Sequence, residues 1–439
     1  MLASISLAPN GPGIKAQITM IPVLCNASLE TRKSSLQVLI IGGGIGGLCL
    51  AQGLKKSGIK VAVYERDESA DFRDQGYRIT LKAEGSHALR DCLPEPLFQL
   101  CVATALKSAT HMVFLDHQLK QKFIKPIPSL PDDSFFGVNR LTLREILLIG
   151  LEDIVHFGKT FERFEQLDDG KVCARFTDGT SATGDLLVGA DGTNSVVRKQ
   201  VIPDAEIDQI GSFIYGKTPL TSDTLAWVPD MLIDSFNRIT GPVGVSMSVA
   251  TCWKREAYAS ATAMFAPNRH LTVVPDYLAW MLDGPQTQLA STEEQGARVK
   301  GPMLHRLAQQ MLKEWPPSLR RIVEEATVAD TFLVNLHSSR PVKSWQTRNV
   351  TLLGDAIHTM SPGRGEGANT ALRDAESLRQ VLVEVVMLGK QLVQAKVQYE
   401  AAMLRYGFEA VANALEHPFA PTSNTRGRSR QRSPGGGVE

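Results

Sequence analysis

The sequence predicts an α/β fold in which a mostly parallel sheet is interleaved with a smaller mixed-sheet region and followed by C-terminal helices. Three observations predict it. Short, continuously apolar runs (Gln37–Ile41, Lys60–Tyr64, Asp185–Gly189 and Val350–Leu353) read as strands buried on both faces, as parallel sheets require. Two of these runs pass directly into glycine clusters that open helical patterns, the mark of βαβ connections. Residues 205–300 change character, with Thr, Ser, Trp and short alternating runs that suit a separate sheet.

Taken in order, Gln37-Val-Leu-Ile-Ile41 is a strand that ends in glycines. Leu48, Leu50, Ala51 and Leu54 then follow a helical pattern that stops at Gly58, in the manner of a C-terminal cap, before the strand Lys60–Tyr64. Leu143, Ile146, Leu147 and Leu151 give a second helix, and Val172–Thr183 alternates around Asp178-Gly179, a hairpin signal. Loops fall at Gly241-Pro242 and Asp283-Gly-Pro285; Pro302–Trp315 is an amphipathic helix, and Pro316-Pro317 opens another over Ser318–Glu325. From Ala368, the positions Leu372, Ala375, Leu378, Leu382 and Val385 mark one face of a helix of about 20 residues ended by Gly389. The expected organisation is an N-terminal extension (1–35), a discontinuous first domain (36–204 and 335–390), a second domain (205–334), a C-terminal helix (391–416) and a tail (417–439).

Composition narrows the function. Hydrophobic content of 43% and charged content of 21% fit a globular chain, and a net charge of +1 supplies no field to gather nucleic acid. The six cysteines contain no C-x-x-C pair, so spacing points to no metal site or redox dithiol. No run reaches the ~20 apolar residues of a membrane span, and the apolar patch Ile18–Cys25 lacks a basic stretch ahead of it. A cytoplasmic, soluble protein with a small-molecule partner is expected; the basic, Ser/Gly/Pro-rich tail reads as a disordered arm.

Three glycine-centred segments carry the chemistry. Gly42-Gly-Gly44-Ile-Gly-Gly47 fits G-x-G-x-x-G between a strand and a helix, and the next strand ends at Glu65, near the ~20-residue spacing of an acid that binds ribose hydroxyls. Such glycines let the backbone approach a pyrophosphate, whose charge meets unpaired N–H groups and the positive end of a helix. The second segment, Leu187–Arg198, runs from a strand into the turn Asp191-Gly192; its carboxylate can accept hydroxyl bonds, and an ordinary β-turn remains open as the alternative. The third, Leu353–Asn369, places Gly354-Asp355 at a strand end and shapes the loop ahead of the long helix with Pro362, Gly363, Gly365 and Gly367. No second G-x-G-x-x-G and no W-x-W occurs, which argues against a separate nicotinamide domain and against halogenation.

In order and spacing, from about residue 36 to 410, these segments resemble the group A flavoprotein monooxygenases, the para-hydroxybenzoate hydroxylase family. The resemblance implies a Rossmann-like FAD-binding domain interleaved with a mixed-sheet substrate domain. It implies that FAD, reduced by a transiently bound NADPH or NADH, reacts with O2 to a C4a-hydroperoxide that hydroxylates or epoxidises an aromatic, polyketide, terpenoid or alkaloid substrate, in the style of secondary metabolism; an FAD-dependent oxidase or dehydrogenase reduced directly by its substrate, and a non-catalytic flavin-binding module, are the alternatives. Carried over by position, Gly42, Gly44, Gly47 and Glu65 would hold the ADP half of FAD. Asp191 and Gly192 match the segment shared with the pyridine nucleotide; Gly354, Asp355, Pro362, Gly365, Gly367, Ala368 and Asn369 match the ribityl and flavin segment. Arg140 matches the arginine of the family's R-x-x-L helix, with a solvated basic residue as the alternative, and Gly76 and Arg78 lie where the cofactor is often touched. Tyr215 would orient or deprotonate a substrate hydroxyl, or else is a packed aromatic; His358 reads as a structural histidine before a general base. Oligomeric state is not set by the sequence.

Overall fold

The computed structural model describes residues 36–70, 76–285, 289 and 301–416. The expected extension (1–35, with Cys25) and tail (417–439) lie outside these residues. In chain order, β1 (Gln37–Ile41), α1 (Ile45–Lys56) and β2 (Lys60–Tyr64) form the first βαβ unit, followed by β3 (Arg78–Leu81), α2 (Ala83–Cys92) and α3 (Glu95–Ala103). Next come β4 (His111–Asp116), β5 (Gln121–Pro126), β6 (Phe136–Asn139), α4 (Arg140–Leu148), β7 (Val155–His156), β8 (Phe161–Gln166), β9 (Val172–Phe176), β10 (Ser181–Gly184), β11 (Leu186–Gly189) and α5 (Val196–Val201). The middle of the chain supplies β12 (Ile207–Pro219), α6 (Ser222–Leu225), β13 (Ser235–Thr240), β14 (Ser246–Cys252), α7 (Tyr258–Phe265), β15 (Tyr277–Asp283), α8 (Gly301–Met311) and α9 (Pro317–Glu324). Last are β16 (Phe332–Ser339), β17 (Val350–Leu352), α10 (Asp355–His358), α11 (Gly367–Leu388) and α12 (Leu392–Glu416).

A five-stranded sheet runs in the order β17-β11-β1-β2-β7, every neighbouring pair parallel. Apart from half-buried Gln37 at the start of β1, the central strands β1 and β11 are apolar with almost no solvent contact, which is why they carry no alternating pattern. Gly58 and Gly389, both left-handed, end α1 and α11 where the sequence places the stops. The antiparallel pairing of β9 with β10 realises the Asp178-Gly179 hairpin, with β8 on its far side.

A seven-stranded mixed sheet runs β16-β12-β15-β14-β13-β4-β5. Its strands come from well-separated stretches of the chain: β4 and β5 from residues 111–126, and β16 from Phe332–Ser339. β4 joins β13 in parallel across more than a hundred residues, with Val113 and Leu115 buried in the sheet's core, a pairing that no local pattern announces. One face of this sheet (Ile214, Met247, Val249, Trp280, Leu282) packs against Leu304 and Ala308 of α8 and Leu319, Ile322 and Val323 of α9. Trp280 crosses Gly216 so closely that a Cβ there would lie 2.0 Å from its ring. The other face presents Tyr215, Cys252, Tyr277 and Ala279, with Phe213, Met281, Phe332 and Val334 partly buried beside them. The five cysteines among the described residues are free and buried, and no described helix is long and apolar enough to cross a membrane.

Candidate functional site

Because β2, β1, β11 and β17 are adjacent and parallel, their carboxyl ends share one edge of the sheet. Each leads at once into a residue expected at the site: Glu65 after β2, Gly42 after β1, Asp191 after β11, and Gly354-Asp355 after β17. Carboxyl ends of parallel strands are where open α/β sheets bind ligands.

The first loop divides its glycines between packing and openness. Gly42 sits at φ +111°, and a Cβ there would lie 2.3 Å from the Ala190 carbonyl, so the first and second segments touch backbone to backbone. A Cβ on Gly47 would meet the Gly42 carbonyl at 2.3 Å, which fixes how α1 leaves the turn. At Gly44, its two chain neighbours aside, no atom of the described residues comes within 4 Å of the Cβ position. That open side stands at the N-terminus of α1, which has no side-chain cap and no acid in its first turn. Buried Glu65 accepts the Gly43 N–H at Oε2 (2.6 Å) and the Asp67 N–H at Oε1 (2.9 Å), so its carboxylate is held against the loop.

One residue that holds this loop from outside was missed in the sequence. Arg144 of α4, 2% exposed, donates from Nε to the Gly43 carbonyl (3.1 Å) and from Nη1 to the Ala70 carbonyl (2.6 Å), and lies 3.6 Å from Asp67. The available signal was its place beside Leu143, Ile146 and Leu147 on the apolar side of the helix, where a lone arginine needs buried partners.

In the second segment, Asp191 accepts from Ser195 Oγ (2.5 Å) and from the N–H groups of Val196 (2.7 Å) and Val197 (3.3 Å), so it caps α5, while Gly192 turns at φ +76°. Burial raises the Asp191 carboxyl against the pull of those bonds. Beyond it lies a cavity of about 340 Å³ lined by Thr193, Asn194, Arg198, Lys199, Gln209 and His337, among others. Arg198 is 5% exposed; its Nη1 donates to the Ala356 carbonyl (2.9 Å) and its Nε has no partner among the described residues.

In the third segment, Gly354 is left-handed (φ +63°) and starts α10. Asp355 is solvent-exposed, yet protein surrounds it closely enough that burial raises its carboxyl, with opposing pulls from His358 and Arg140. A side chain that is both wetted and enclosed lines a recess. Gly367 leaves that recess open: among the described residues its Cβ position meets only Met360 at 3.8 Å and Asp355 Oδ1 at 4.0 Å. Gly367 and Ala368 form the uncapped first turn of α11, while Pro362 is exposed and Gly365 turns at φ +65°. Asn369 faces inward instead: its Nδ2 donates to the Thr80 (2.9 Å) and Gly365 (2.7 Å) carbonyls and its Oδ1 accepts from Lys82 N–H (2.8 Å), so its side chain fastens β3 to the loop.

The remaining expected residues bridge the two sheets. Gly76 is buried against Asn139, whose Oδ1 would lie 2.9 Å from an added Cβ. The Arg140 guanidinium lies 5.6 Å from the centre of the Tyr77 ring, and Tyr77 meets Tyr215 edge-on at 6.3 Å. Arg78 donates its backbone N–H to the Tyr215 hydroxyl (3.4 Å) and its Nη1 to the Thr251 carbonyl (3.3 Å). Tyr215 stacks on Phe332 at 5.1 Å, and burial raises its phenol far above the ordinary value. His358 is wholly buried and bonded to Asp374, which suits the structural reading.

The features left open fit FAD: a helix N-terminus beside Gly44 for a pyrophosphate, a carboxylate at the end of β2, and a wetted acid in a recess beside the first turn of α11. Comparison with known proteins agrees. A family of FAD binding domains matches residues 287–411, and a family of NAD(P)-binding Rossmann-like domains matches residues 40–99. The chain is 34% identical over 411 residues to the dual O-methyltransferase/FAD-dependent monooxygenase CTB3 of Cercospora beticola, covering 88% of this chain and 46% of that one. It thus spans about half the length of such relatives. The FAD-dependent monooxygenase thnD of Trichoderma harzianum is 27% identical, covering 87% and 92% of the two chains. Among solved structures, a protein of Photorhabdus luminescens assigned as an FAD containing monooxygenase superposes with a TM-score of 0.74 at 32% identity, covering 87% and 97% of the two chains. HpxO of Klebsiella pneumoniae, solved with FAD and uric acid, shares the fold with a TM-score of 0.68 at 23% identity, covering 88% and 89%. The three loops and these likenesses define a flavoprotein of the dinucleotide-binding α/β class. Within it, the chain belongs to the FAD-dependent monooxygenase family.

Proposed function

We propose that this protein uses FAD, NADPH or NADH, and O2 to hydroxylate or epoxidise a small organic molecule of the aromatic, polyketide, terpenoid or alkaloid kind, within secondary metabolism. The observation that carries the reading is the joining of the Asp355 recess, through Arg140 and Tyr77, to the aromatic face of the second sheet at Tyr215 and Phe332. Bound FAD supplies hydride acceptance and oxygen activation.

The chain's own residues do the rest. Gly44 and the α1 N-terminus would hold the pyrophosphate, Glu65 the ribose and Asp355 the ribityl chain, and the uncapped α11 N-terminus would favour negative charge on the bound group. The phenol of Tyr215, raised by burial, stays protonated near neutral pH, so it orients a substrate hydroxyl by hydrogen bonding and does not act as a base. The cavity beside Asp191, with buried Arg198 and exposed Lys199 at its wall, suits the phosphates of a nicotinamide that docks and leaves. A relative that carries an O-methyltransferase and a monooxygenase in one chain suggests that a hydroxyl made here is capped by methyl transfer.

The test is anaerobic stopped-flow reduction of the FAD-loaded protein by NADH and by NADPH against a panel of phenolic and prenylated compounds. Reduction should accelerate with the right compound. Reduction by the compound itself, with neither nucleotide effective, would identify a dehydrogenase or oxidase instead.

A further inference from the structure

The mid-helix glycine of α12 and a buried acid of α11 meet at one place. Asp374, with no exposure, accepts three hydrogen bonds from two parts of the chain: the Gly354 N–H (2.8 Å) and His358 Nε2 (2.7 Å) at Oδ2, from the two ends of α10, and the Tyr406 hydroxyl (2.6 Å) at Oδ1, from α12. The Gly354 peptide so held is the left-handed one that aims Asp355 into the recess. On its other side, His358 packs directly on Gly407, where an added Cβ would lie 2.6 Å from the imidazole Cδ2. A glycine inside a helix costs stability, and this close approach is what it allows. Arg373 lies over the Tyr406 ring at 4.0 Å, so the tyrosine is held from both sides.

We propose that Asp374 is a positioning residue for FAD: with Tyr406, His358 and Gly407 it couples α12 to the conformation of the Gly354-Asp355 turn. It touches no cofactor atom itself. The proposal rests on the reading that this turn faces the flavin half of FAD, while the ADP half binds some distance away at Gly44 and Glu65. Asp374 should therefore govern affinity for the whole dinucleotide and leave affinity for ADP alone unchanged.

The experiment titrates apo-protein with FAD and, separately, with ADP, in wild type, Asp374→Asn, Tyr406→Phe and Gly407→Ala, and records each thermal midpoint. The wild-type FAD titration tests the site assignment independently. Loss of one charged hydrogen bond predicts roughly tenfold weaker FAD binding in Tyr406→Phe, and more in Asp374→Asn, with ADP binding unchanged. Equal loss of FAD and ADP affinity, or unchanged FAD affinity despite a lowered midpoint, would overturn it. Should Asp374→Asn fail to fold, Tyr406→Phe and Gly407→Ala decide the matter alone.

Discussion

Replacing Gly44 with alanine should separate folding from cofactor binding, whereas the same change two residues earlier should not. Gly44 has φ −80° and ψ 179°, a conformation open to any residue, and beyond its chain neighbours its Cβ position meets no atom of the described residues within 4 Å. The apo-protein should therefore keep its stability to within about 0.5 kcal/mol. The new methyl group would instead stand where a pyrophosphate must approach the α1 N–H groups. Displacing one charge-assisted hydrogen bond costs about 1.5–3 kcal/mol, which is roughly ten- to a hundredfold in FAD affinity. Gly42→Ala meets the opposite situation: φ +111° and a Cβ 2.3 Å from the Ala190 carbonyl. Backbone strain of about 1–3 kcal/mol, with overpacking of similar size, should destabilise the fold by at least ~2 kcal/mol. The assay pairs apo-protein thermal melts with FAD titration followed by flavin fluorescence. Normal FAD affinity in Gly44→Ala, or an unshifted melt in Gly42→Ala, would refute the reasoning.

Further expectations concern charge. Burial alone would lower the His358 imidazole, but the Asp374 charge and hydrogen bond outweigh it and hold it raised. A raised histidine stabilises the fold fully below its unfolded value of about 6.5 and loses that contribution as pH climbs through the folded value; the thermal midpoint of wild type should thus fall more steeply than that of His358→Gln above this pH, and equal slopes would count against it. Asp355→Asn should bind FAD more weakly, and unchanged flavin occupancy would remove Asp355 from the site. Arg198→Met should raise the KM for NADPH or NADH by about tenfold with FAD content unchanged, and an unaltered KM would place the nucleotide elsewhere.

What the sequence made legible was local. Gly42–Gly47, Gly354-Asp355 and the helix from Gly367 to its stop at Gly389 are read from residues adjacent in the chain, because turn chemistry and buried-strand hydrophobicity act at short range. Partnerships at long range stayed hidden. β4 resembles any short strand until it pairs with β13. Arg144 and Asp374 each interrupt an apolar helical face, but only the folded chain shows that one holds the Gly43 carbonyl and the other the Gly354 N–H. Asn369 illustrates the same limit from the other side, since a residue matched to the cofactor by position spends its side chain on Thr80, Lys82 and Gly365.

Once a compound is found that accelerates flavin reduction, turnover under labelled O2 in ordinary water is the most direct trial of the oxygenase assignment. The account predicts one labelled oxygen atom in each product molecule. Product without label, whether oxygenated from water or merely dehydrogenated, would contradict it.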